Sequence, residues 1–197
     1  AANIWWGGIS LQTKDAFTAT ATKPVAFEID RVSHVGTGAA NRTAFFISDV
    51  TGANFVMFSQ NPNEGGWTYN VAGSDVRTGS NMASLDGAEF NDLGNHHVKL
   101  LANGTTVKFY VDGVLGAEVP FAITANIRFA FGGYARSYPD SIAGTFDNVV
   151  ISGVMPGVLA LPQSVTLEAG AVNPVVTVSI PRILNETNAV QVTVTNA

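Results

Sequence analysis

The stretch HHVKLLANGTTVKFYVDGVLGAEV, residues 96–119, decides the fold class of this chain. The dipeptides Asn103-Gly104 and Asp112-Gly113 each separate two strand-like runs within it. Both dipeptides tolerate the positive φ angles that two-residue hairpin turns require. Together with GTFDNVVIS at residues 144–152, the segment predicts a meander of antiparallel strands.

The composition of the whole chain also predicts an all-β protein. The 197 residues are 46% hydrophobic and 13% charged, which is enough to build a substantial core. Val, Ile, Thr and Phe are abundant, and Gly, Asn, Asp or Pro interrupts the apolar runs. Strands are predicted at 17–21, 25–32, 43–49, 54–59, 67–72, 97–102, 106–111, 114–118, 126–131 and 144–152. This spacing is typical of a sandwich or jelly roll.

Charge and hydropathy exclude several classes of partner. The formal net charge is -5 and the ten basic residues are scattered singly, so we expect no nucleic-acid partner. Membrane insertion is not expected, because no apolar run approaches the roughly 20 residues that a spanning helix needs. The chain has no cysteine, which excludes disulfides and thiolate metal sites.

Two motifs resemble a known superfamily. His96-His97 opens a strand and the hairpin at 110–113, Tyr-Val-Asp-Gly, follows it, which resembles the laminin-G-like jelly-roll domains of the concanavalin A-like lectin and glucanase superfamily. The resemblance implies an antiparallel β-sandwich over residues 1–154, with both histidines structural, one packed against the core and one near the rim. Residues 155–197 resemble a linker and the first strands of a truncated immunoglobulin-like or Calx-β-like module. We therefore expect part of a larger multidomain bacterial protein, secreted or displayed at the cell surface, with neighbouring domains as partners.

A carboxylate pair raises the question of catalysis. The strand that contains Glu28 and Asp30 resembles half of the Glu-X-Asp-X-X-Glu motif of laminarinase-type hydrolases, and a period of two puts both acids on one face. Retaining hydrolysis requires two carboxyl groups about 5–5.5 Å apart, and the second glutamate of the motif is missing. We therefore predict that the chain is not an enzyme. The alternative is a hydrolase or lyase that uses Glu28, Asp30 and His34.

The preferred function is non-catalytic binding of a polysaccharide or glycan. Flat aromatic side chains stack on sugar rings, while carboxylate and guanidinium groups bind sugar hydroxyls. The predicted carbohydrate-binding residues, on an aromatic-lined concave face, are Trp67, Tyr69, Tyr134, Arg136, Tyr138, Glu28 and Asp30. The alternative from another class is a structural or adhesive spacer module of a surface protein.

The sequence has two candidate metal sites, at His96-His97 and at Asp147. His96 and His97 are neighbours on a strand and point to opposite faces, which disfavours a shared zinc ion. Asp147 lies in Phe146-Asp147-Asn148-Val149, a sequence similar to the strand whose aspartate binds structural calcium in many concanavalin A-like domains. The resemblance implies a Ca²⁺ ion held by Asp147 and main-chain carbonyl oxygens. A strand with regular alternation would put Asp147, Val149 and Ile151 on one face.

Overall fold

The computed structural model describes residues 7–38, 40–62, 66–71, 74–75, 82–123, 126–135 and 140–153. These residues form strands β1 Gly7–Gln12, β2 Val25–Thr37, β3 Asn41–Ser48, β4 Phe55–Asn61, β5 Gly66–Val71, β6 Ser74–Asp75, β7 His96–Ala102, β8 Thr106–Val111, β9 Val114–Pro120, β10 Arg128–Ala135 and β11 Ser141–Ser152. A 3-10 turn, Ala83–Leu85, and the single helical turn α1, Ala88–Asn91, precede β7.

The strands pair antiparallel into two sheets, which confirms the predicted all-β sandwich. The six-stranded sheet has the order β1-β10-β3-β4-β5-β6, and the five-stranded sheet has the order β11-β2-β7-β8-β9. The face of each sheet that packs against the other sheet is called its inner face below, and the opposite face is its outer face.

Aromatic rings fill the space between the inner faces. Phe58 of β4 stacks on Phe109 of β8 with ring centroids 4.5 Å apart, and Phe27 of β2 stacks on Phe129 of β10 at 5.2 Å. All four side chains are at most 1% exposed. Each pair joins a strand of one sheet to a strand of the other, and such pairs contribute about 0.5–1.5 kcal/mol beyond the area they bury.

Both dipeptides lie at turns between strands, as predicted, but at Asn103-Gly104 only Gly104 has a positive φ angle, 88°. Asp112 and Gly113 join β8 to β9 with φ angles of 50° and 82°. At the other turn, the side-chain Oδ1 of Asn103 accepts hydrogen bonds from the backbone N–H groups of Thr105 and Thr106, at 3.0 and 2.8 Å. The local chemistry of Asn-Gly and Asp-Gly therefore sets the register of β7, β8 and β9.

Three features of the strand prediction are wrong. The run at 17–21 is not a strand: Phe17 forms an isolated bridge with Ile127, and Thr20 and Lys23 then close a tight turn through mutual backbone hydrogen bonds. β1 was not predicted, because its sequence GGISLQ has few strand-forming residues. Its strand conformation depends on pairing with β10. Finally, the strand predicted at 126–131 is β10, which continues to Ala135 and so includes Tyr134.

Other predictions concern parts of the chain outside the described residues. Arg136, Tyr138 and residues 155–197 are among them, so the domain boundary near residue 155 and the immunoglobulin-like module stay predictions. In the parts of the chain that are described, no helix has the length and apolar character that crossing a membrane demands.

Candidate functional site

The predicted carbohydrate-binding residues do not form one surface. Trp67 and Tyr69 lie on the inner face of the six-stranded sheet, where their strand partners are Gln60 and Phe58. Tyr134 lies on the outer face of that sheet, opposite Arg42 on β3. Glu28 and Asp30 lie on the outer face of the five-stranded sheet, on the far side of the molecule, and therefore cannot share a ligand site with Tyr134.

Trp67 is a core residue, so the prediction that its ring stacks on a sugar is wrong. Its side chain is 1% exposed and packs against Phe45 and Phe109 at centroid distances of 6.3 and 5.5 Å. The indole Nε1 donates a hydrogen bond of 2.8 Å to the carbonyl oxygen of Phe90. The residue therefore anchors the segment that carries α1 to the sandwich.

Tyr69 also points to the inner face, away from the solvent that covers the outer face. Its ring is tilted against Phe58 at 6.3 Å, and the half-buried side chain packs against the core between the sheets. Tyr134 is different, because its half-buried ring meets Phe46 edge to face at 5.4 Å on the outer face. Of the predicted aromatic residues that are described, Tyr134 is the one available to a ligand on this sheet.

The outer face of the six-stranded sheet combines polar and aromatic side chains. Phe45 and Ile47 point inward into the core, so the alternate residues Arg42, Phe46 and Ser48 of β3 point outward. The outward residues of the neighbouring strands include Ser10, Gln12, Arg128, Tyr134, Phe55, Met57, Ser59, Asn61, Thr68 and Asn70. Two hydroxyl oxygens, Oγ of Ser59 and Oγ1 of Thr68, lie 3.3 Å apart across β4 and β5.

Two arginines give this face a positive character. In β1, β3, β4, β5 and β10 the charged residues are Arg42 and Arg128, and both point outward. Arg42 is 4% exposed and pairs with Tyr134, while the half-buried Arg128 pairs with Ser48. The six positions that separate Arg42 from Ser48 correspond to roughly 20 Å of strand. The sixth strand, β6, adds one acid, Asp75, opposite Asn70, so the strands of this sheet carry two basic residues and one acidic residue in a chain with a net charge of -5.

Sequence reasoning missed the two arginines as a pair, because they lie far apart along the chain. A signal was present in each strand: Arg42 precedes the alternating run Thr43 to Ser48, and Arg128 precedes the aromatic pair Phe129 and Phe131. The period of two puts each arginine opposite the apolar face of its strand. Their shared face follows only from the pairing of β3 with β10.

The outer face of the five-stranded sheet carries a second polar cluster. His97 of β7 lies between two acids of β2: its Nδ1 is 2.7 Å from Oδ1 of Asp30, and its Nε2 is 3.2 Å from Oε2 of Glu28. Nζ of Lys99 is 3.2 Å from Oε1 of Glu28. The side-chain amide of Asn148 donates to Oδ2 of Asp30 at 2.7 Å. The prediction that Glu28 and Asp30 share a face is confirmed.

These contacts shift the acid–base equilibria of the cluster. Hydrogen bonds from Asn148 and His97 lower the pKa of Asp30. Partial burial opposes ionisation of Glu28, but the hydrogen bonds from His97 and Lys99 outweigh it and lower the pKa of that carboxyl group. The hydrogen bond to Asp30, assisted by the one to Glu28, raises the pKa of His97 above its ordinary value of 6.5.

His34 does not join Glu28 and Asp30, so the catalytic alternative built on these three residues is wrong. The 2%-exposed His34 is hydrogen-bonded through Nε2 to Oδ1 of Asn41 at 2.7 Å and lies 3.3 Å from Oγ1 of Thr43, on the inner side of the sandwich. Burial lowers its pKa. The register of β2 against β11 shifts between Arg31 and Ser33, and this bulge turns His34 to the inner face.

His96 and His97 point to opposite faces, as predicted. His96 is 2% exposed, its Nδ1 is 2.6 Å from Oδ2 of Asp112, and its ring meets Trp67 edge to face. His97 is 46% exposed on the side chain. Among the residues with described side chains, no group of three or more His, Asp or Glu residues is placed to hold a metal ion.

Asp147 lies at an irregularity in β11. Its exposed carboxylate accepts a hydrogen bond of 2.7 Å from the backbone N–H of Asn148. Asp147 is opposite Asp30 and Val150 is opposite Glu28, because Asn148 and Val149 form a bulge, with a φ of 52° at Asn148. The predicted face of Asp147, Val149 and Ile151 is therefore wrong, while the calcium ion at Asp147 stays a prediction.

Comparison with known proteins gives the fold a context. No protein-family model matches the chain, and no curated protein matches its sequence. The alginate lyase AlgAT5 of polysaccharide lyase family 7 is similar over 75% of this chain and 63% of its own, with a TM-score of 0.51 and 17% identity. An alginate lyase from Corynebacterium sp. is similar over 72% of this chain and 63% of its own, with a TM-score of 0.50 and 13% identity. The carbohydrate-binding module CBM66 from Bacillus subtilis has a TM-score of 0.44 and 15% identity, over 76% of this chain and 96% of that one.

The prediction that the chain is not an enzyme is wrong as it was argued. It relied on a missing glutamate in one hydrolase motif, whereas solved structures that share this fold at TM-scores of 0.51 and 0.50 are lyases. The chain spans 63% of the length of each of these two proteins. At 13% and 17% identity the likeness establishes the fold. The chain is an antiparallel jelly-roll β-sandwich.

Proposed function

We propose that this chain binds a carbohydrate, and that an acidic polysaccharide lies across the outer face of its six-stranded sheet. The observation that carries the proposal is the pairing of Tyr134 with Arg42 on this face, with Arg128 further along it. A tyrosine ring offers an apolar surface to a sugar ring, and a guanidinium group binds a carboxylate through two parallel hydrogen bonds.

Exposed polar side chains on the strand next to Tyr134 suit a hydroxyl-rich ligand. Ser10 and Gln12 of β1, which pairs with β10, supply hydroxyl and amide groups that both donate and accept hydrogen bonds. Phe46 and Phe55 lie on the same face with ring centroids 6.3 Å apart and add apolar surface between the polar positions. A mixture of aromatic and convergent polar groups is typical of small-molecule and sugar sites.

The charge of the face favours an acidic ligand over a neutral one. Arg42 and Arg128 are the charged residues of the five longer strands of the sheet, in a chain whose net charge is -5. The half-buried Arg128 can bind a ligand carboxylate directly, whereas Arg42, which is 4% exposed, contributes positive charge to the face from a buried position. The two lyases that share the fold act on alginate, a polysaccharide of uronic acids, which supports the same ligand class.

Cleavage of that polysaccharide is the second candidate function. A lyase removes the proton beside the sugar carboxylate, breaks the neighbouring C–O bond, gives a proton to the leaving oxygen and leaves a C=C double bond in the sugar ring. Tyr134 has a phenol that can exchange protons with the substrate, and the paired Arg42 can stabilise the negative charge that develops on the carboxylate. The resulting unsaturated product absorbs ultraviolet light, so the activity is directly measurable.

Calorimetric titration with polyuronates and with neutral glucans tests binding. We expect the polyuronates to bind, and added salt to weaken the interaction because it screens the arginines. Tyr134→Ala and Arg128→Ala should each weaken binding about tenfold or more, which corresponds to 1.4 kcal/mol. Tyr110→Ala is the matched control, because Tyr110 is equally half-buried but lies on the outer face of the five-stranded sheet.

Two results would contradict binding at the outer face of the six-stranded sheet. If binding survives Tyr134→Ala and Arg128→Ala but is lost in Tyr110→Ala, the ligand lies on the opposite sheet. If none of the charged or neutral polysaccharides binds, the proposed function is wrong. Incubation of the same polyuronates with the protein, followed by ultraviolet absorbance, decides whether binding is accompanied by cleavage.

A further inference from the structure

The outer face of the five-stranded sheet holds a histidine between two carboxylates. The two ring nitrogens of His97 lie 2.7 Å from Oδ1 of Asp30 and 3.2 Å from Oε2 of Glu28. His97 belongs to β7 and the two acids belong to β2, and Asp30 is directly opposite His97 in the register. This cluster lies on the other side of the sandwich from Tyr134 and is independent of the proposed polysaccharide site.

The two contacts of His97 depend on how many of its ring nitrogens carry a hydrogen. An ionised carboxylate only accepts hydrogen bonds, whereas a neutral imidazole has one N–H donor and one lone pair. Both contacts of His97 can be hydrogen bonds at the same time only if both ring nitrogens carry a hydrogen. An imidazolium ring therefore satisfies both contacts, whereas a neutral ring donates to one carboxylate only.

The two acids differ in how they are held. The second oxygen of Asp30 accepts the side-chain amide of Asn148 at 2.7 Å, which ties it to β11. The second oxygen of Glu28 is paired with the flexible ammonium group of Lys99 at 3.2 Å. Glu28 can therefore move away from His97 and keep a partner, whereas Asp30 is fixed from both sides.

Other ionisable groups near His97 come from each neighbouring element. From the hairpin between β8 and β9, Oδ1 of Asp112 accepts the backbone N–H of His97 at 2.8 Å. From β11, Asp147 lies opposite Asp30, and from β8, Tyr110 lies opposite Lys99. The surrounding carboxylates outnumber the single ammonium group of Lys99, and this balance favours a positive charge on His97.

We infer that His97 is a proton-operated latch for Glu28 on the outer face of the five-stranded sheet. The protonated ring holds both acids, and the neutral ring keeps Asp30 and releases Glu28. The shorter contact and the bond from Asn148 keep Asp30 in place, while the lone pair on Nε2 repels Oε2 of Glu28. Loss of one proton thus converts a cluster in which His97 holds both acids into one in which Glu28 is paired with Lys99 alone.

The directions of the pKa shifts of His97 and Glu28 agree with the latch. The hydrogen bond to Asp30, with that to Glu28, raises the pKa of His97 above 6.5, so the change of state falls above that pH. The side chain is 46% exposed, so its protons exchange readily with solvent. Glu28 itself has a lowered pKa and is ionised throughout this range.

An NMR titration of the isotope-labelled protein tests the latch. We expect the ring of His97 to titrate with a midpoint above 6.5, and the carboxyl carbon of Glu28 to change its shift at the same midpoint. Glu28 does not itself titrate there, so a change larger than that of Asp30, which lies closer to the same ring, reports its release. The carboxyl carbon of Asp30 should move less. Asp30→Asn should lower the midpoint more than Glu28→Gln, because the contact to Asp30 is shorter.

Glu118→Gln is the control. It removes the acid of the exposed pair between Lys108 and Glu118, 3.6 Å apart on the same sheet, and should leave the midpoint of His97 unchanged. A His97 midpoint at or below 6.5 would overturn the latch, as would a Glu28 signal that does not change at the His97 midpoint. A larger change at Asp30 than at Glu28 would overturn the assignment of Glu28 as the released group.

Discussion

Trp67 and Tyr134 lie on opposite faces of the six-stranded sheet. The indole of Trp67 is 1% exposed between the sheets, whereas Tyr134 contacts Phe46 on the outer face. The two aromatic residues were expected to line one ligand surface, but they lie in different environments. Trp67 stabilises the fold, and Tyr134 is the aromatic candidate for ligand contact.

Replacement of Trp67 by alanine should destabilise the protein strongly. The change removes a large buried side chain, and such substitutions cost about 3–5 kcal/mol. Trp67→Phe should cost less, because it keeps most of the buried area and the carbonyl oxygen of Phe90 still accepts a hydrogen bond from Nε2 of Gln60 at 3.2 Å. Urea unfolding of both variants measures the difference. Equal stability of Trp67→Ala and the wild type would contradict the core assignment.

Part of this arrangement was predictable from the sequence because it depends on neighbours along the chain. The alternation of β-strands put Glu28 and Asp30 on one face and His96 and His97 on opposite faces, and the structure agrees. The turn at Asp112 was also predictable, since the positive φ angles belong to the dipeptide itself.

The rest depends on which strands meet, and that information is not local. Whether Trp67 faces the core or solvent is decided by the second sheet, because either face of an isolated strand could be the inner one. The bulges beside Arg31 and at Asn148 shift the alternation, which moved His34 inward and separated Asp147 from Ile151. One extra residue in a strand leaves no clear mark in the sequence.

The hairpin between β8 and β9 should be sensitive to substitution at Gly113. The residue has a φ of 82°, and an added Cβ atom would meet nothing within 4 Å. The cost of Gly113→Ala is therefore a backbone cost of about 1–2 kcal/mol. Gly113→Asn should cost less, since asparagine adopts the left-handed conformation more readily. Denaturation midpoints of the two variants give the comparison, and a more stable alanine variant would contradict it.

A calcium ion at Asp147, if bound as the resemblance implies, should stabilise the fold by linkage. Binding to the native state alone raises stability by about 2.7 kcal/mol at a concentration one hundred times Kd. We expect CaCl2 to raise the Tm of the wild type and a chelator to lower it, with no effect of either on Asp147→Ala. Asp49→Ala is the control, since Asp49 also has an exposed carboxylate, in a turn where it bonds to Thr51 and Asn54. A wild-type Tm that neither CaCl2 nor the chelator changes would contradict calcium binding at Asp147.

The cluster around His97 should shape the dependence of stability on pH. The folded-state pKa of His97 is raised above 6.5, so its contribution is fully present below that value and is lost as pH rises through the folded pKa. The pKa values of Glu28 and Asp30 are lowered from 4.5 and 3.8, so their contributions are present above those values and are lost as pH falls through the folded pKa values. The contribution of the cluster is therefore largest between about pH 4.5 and 6.5.

The size of this effect is limited by solvent, because His97 is 46% exposed on its side chain. Exposed ion pairs contribute about 0.2–1 kcal/mol, so the decline above pH 6.5 should be of that order. Urea unfolding of the wild type and of His97→Gln between pH 5 and pH 9 measures it, because glutamine retains hydrogen bonding without a titratable charge. The stability difference between the two proteins should shrink as pH rises. A difference that stays constant across the range would show that the proton on His97 does not stabilise the fold.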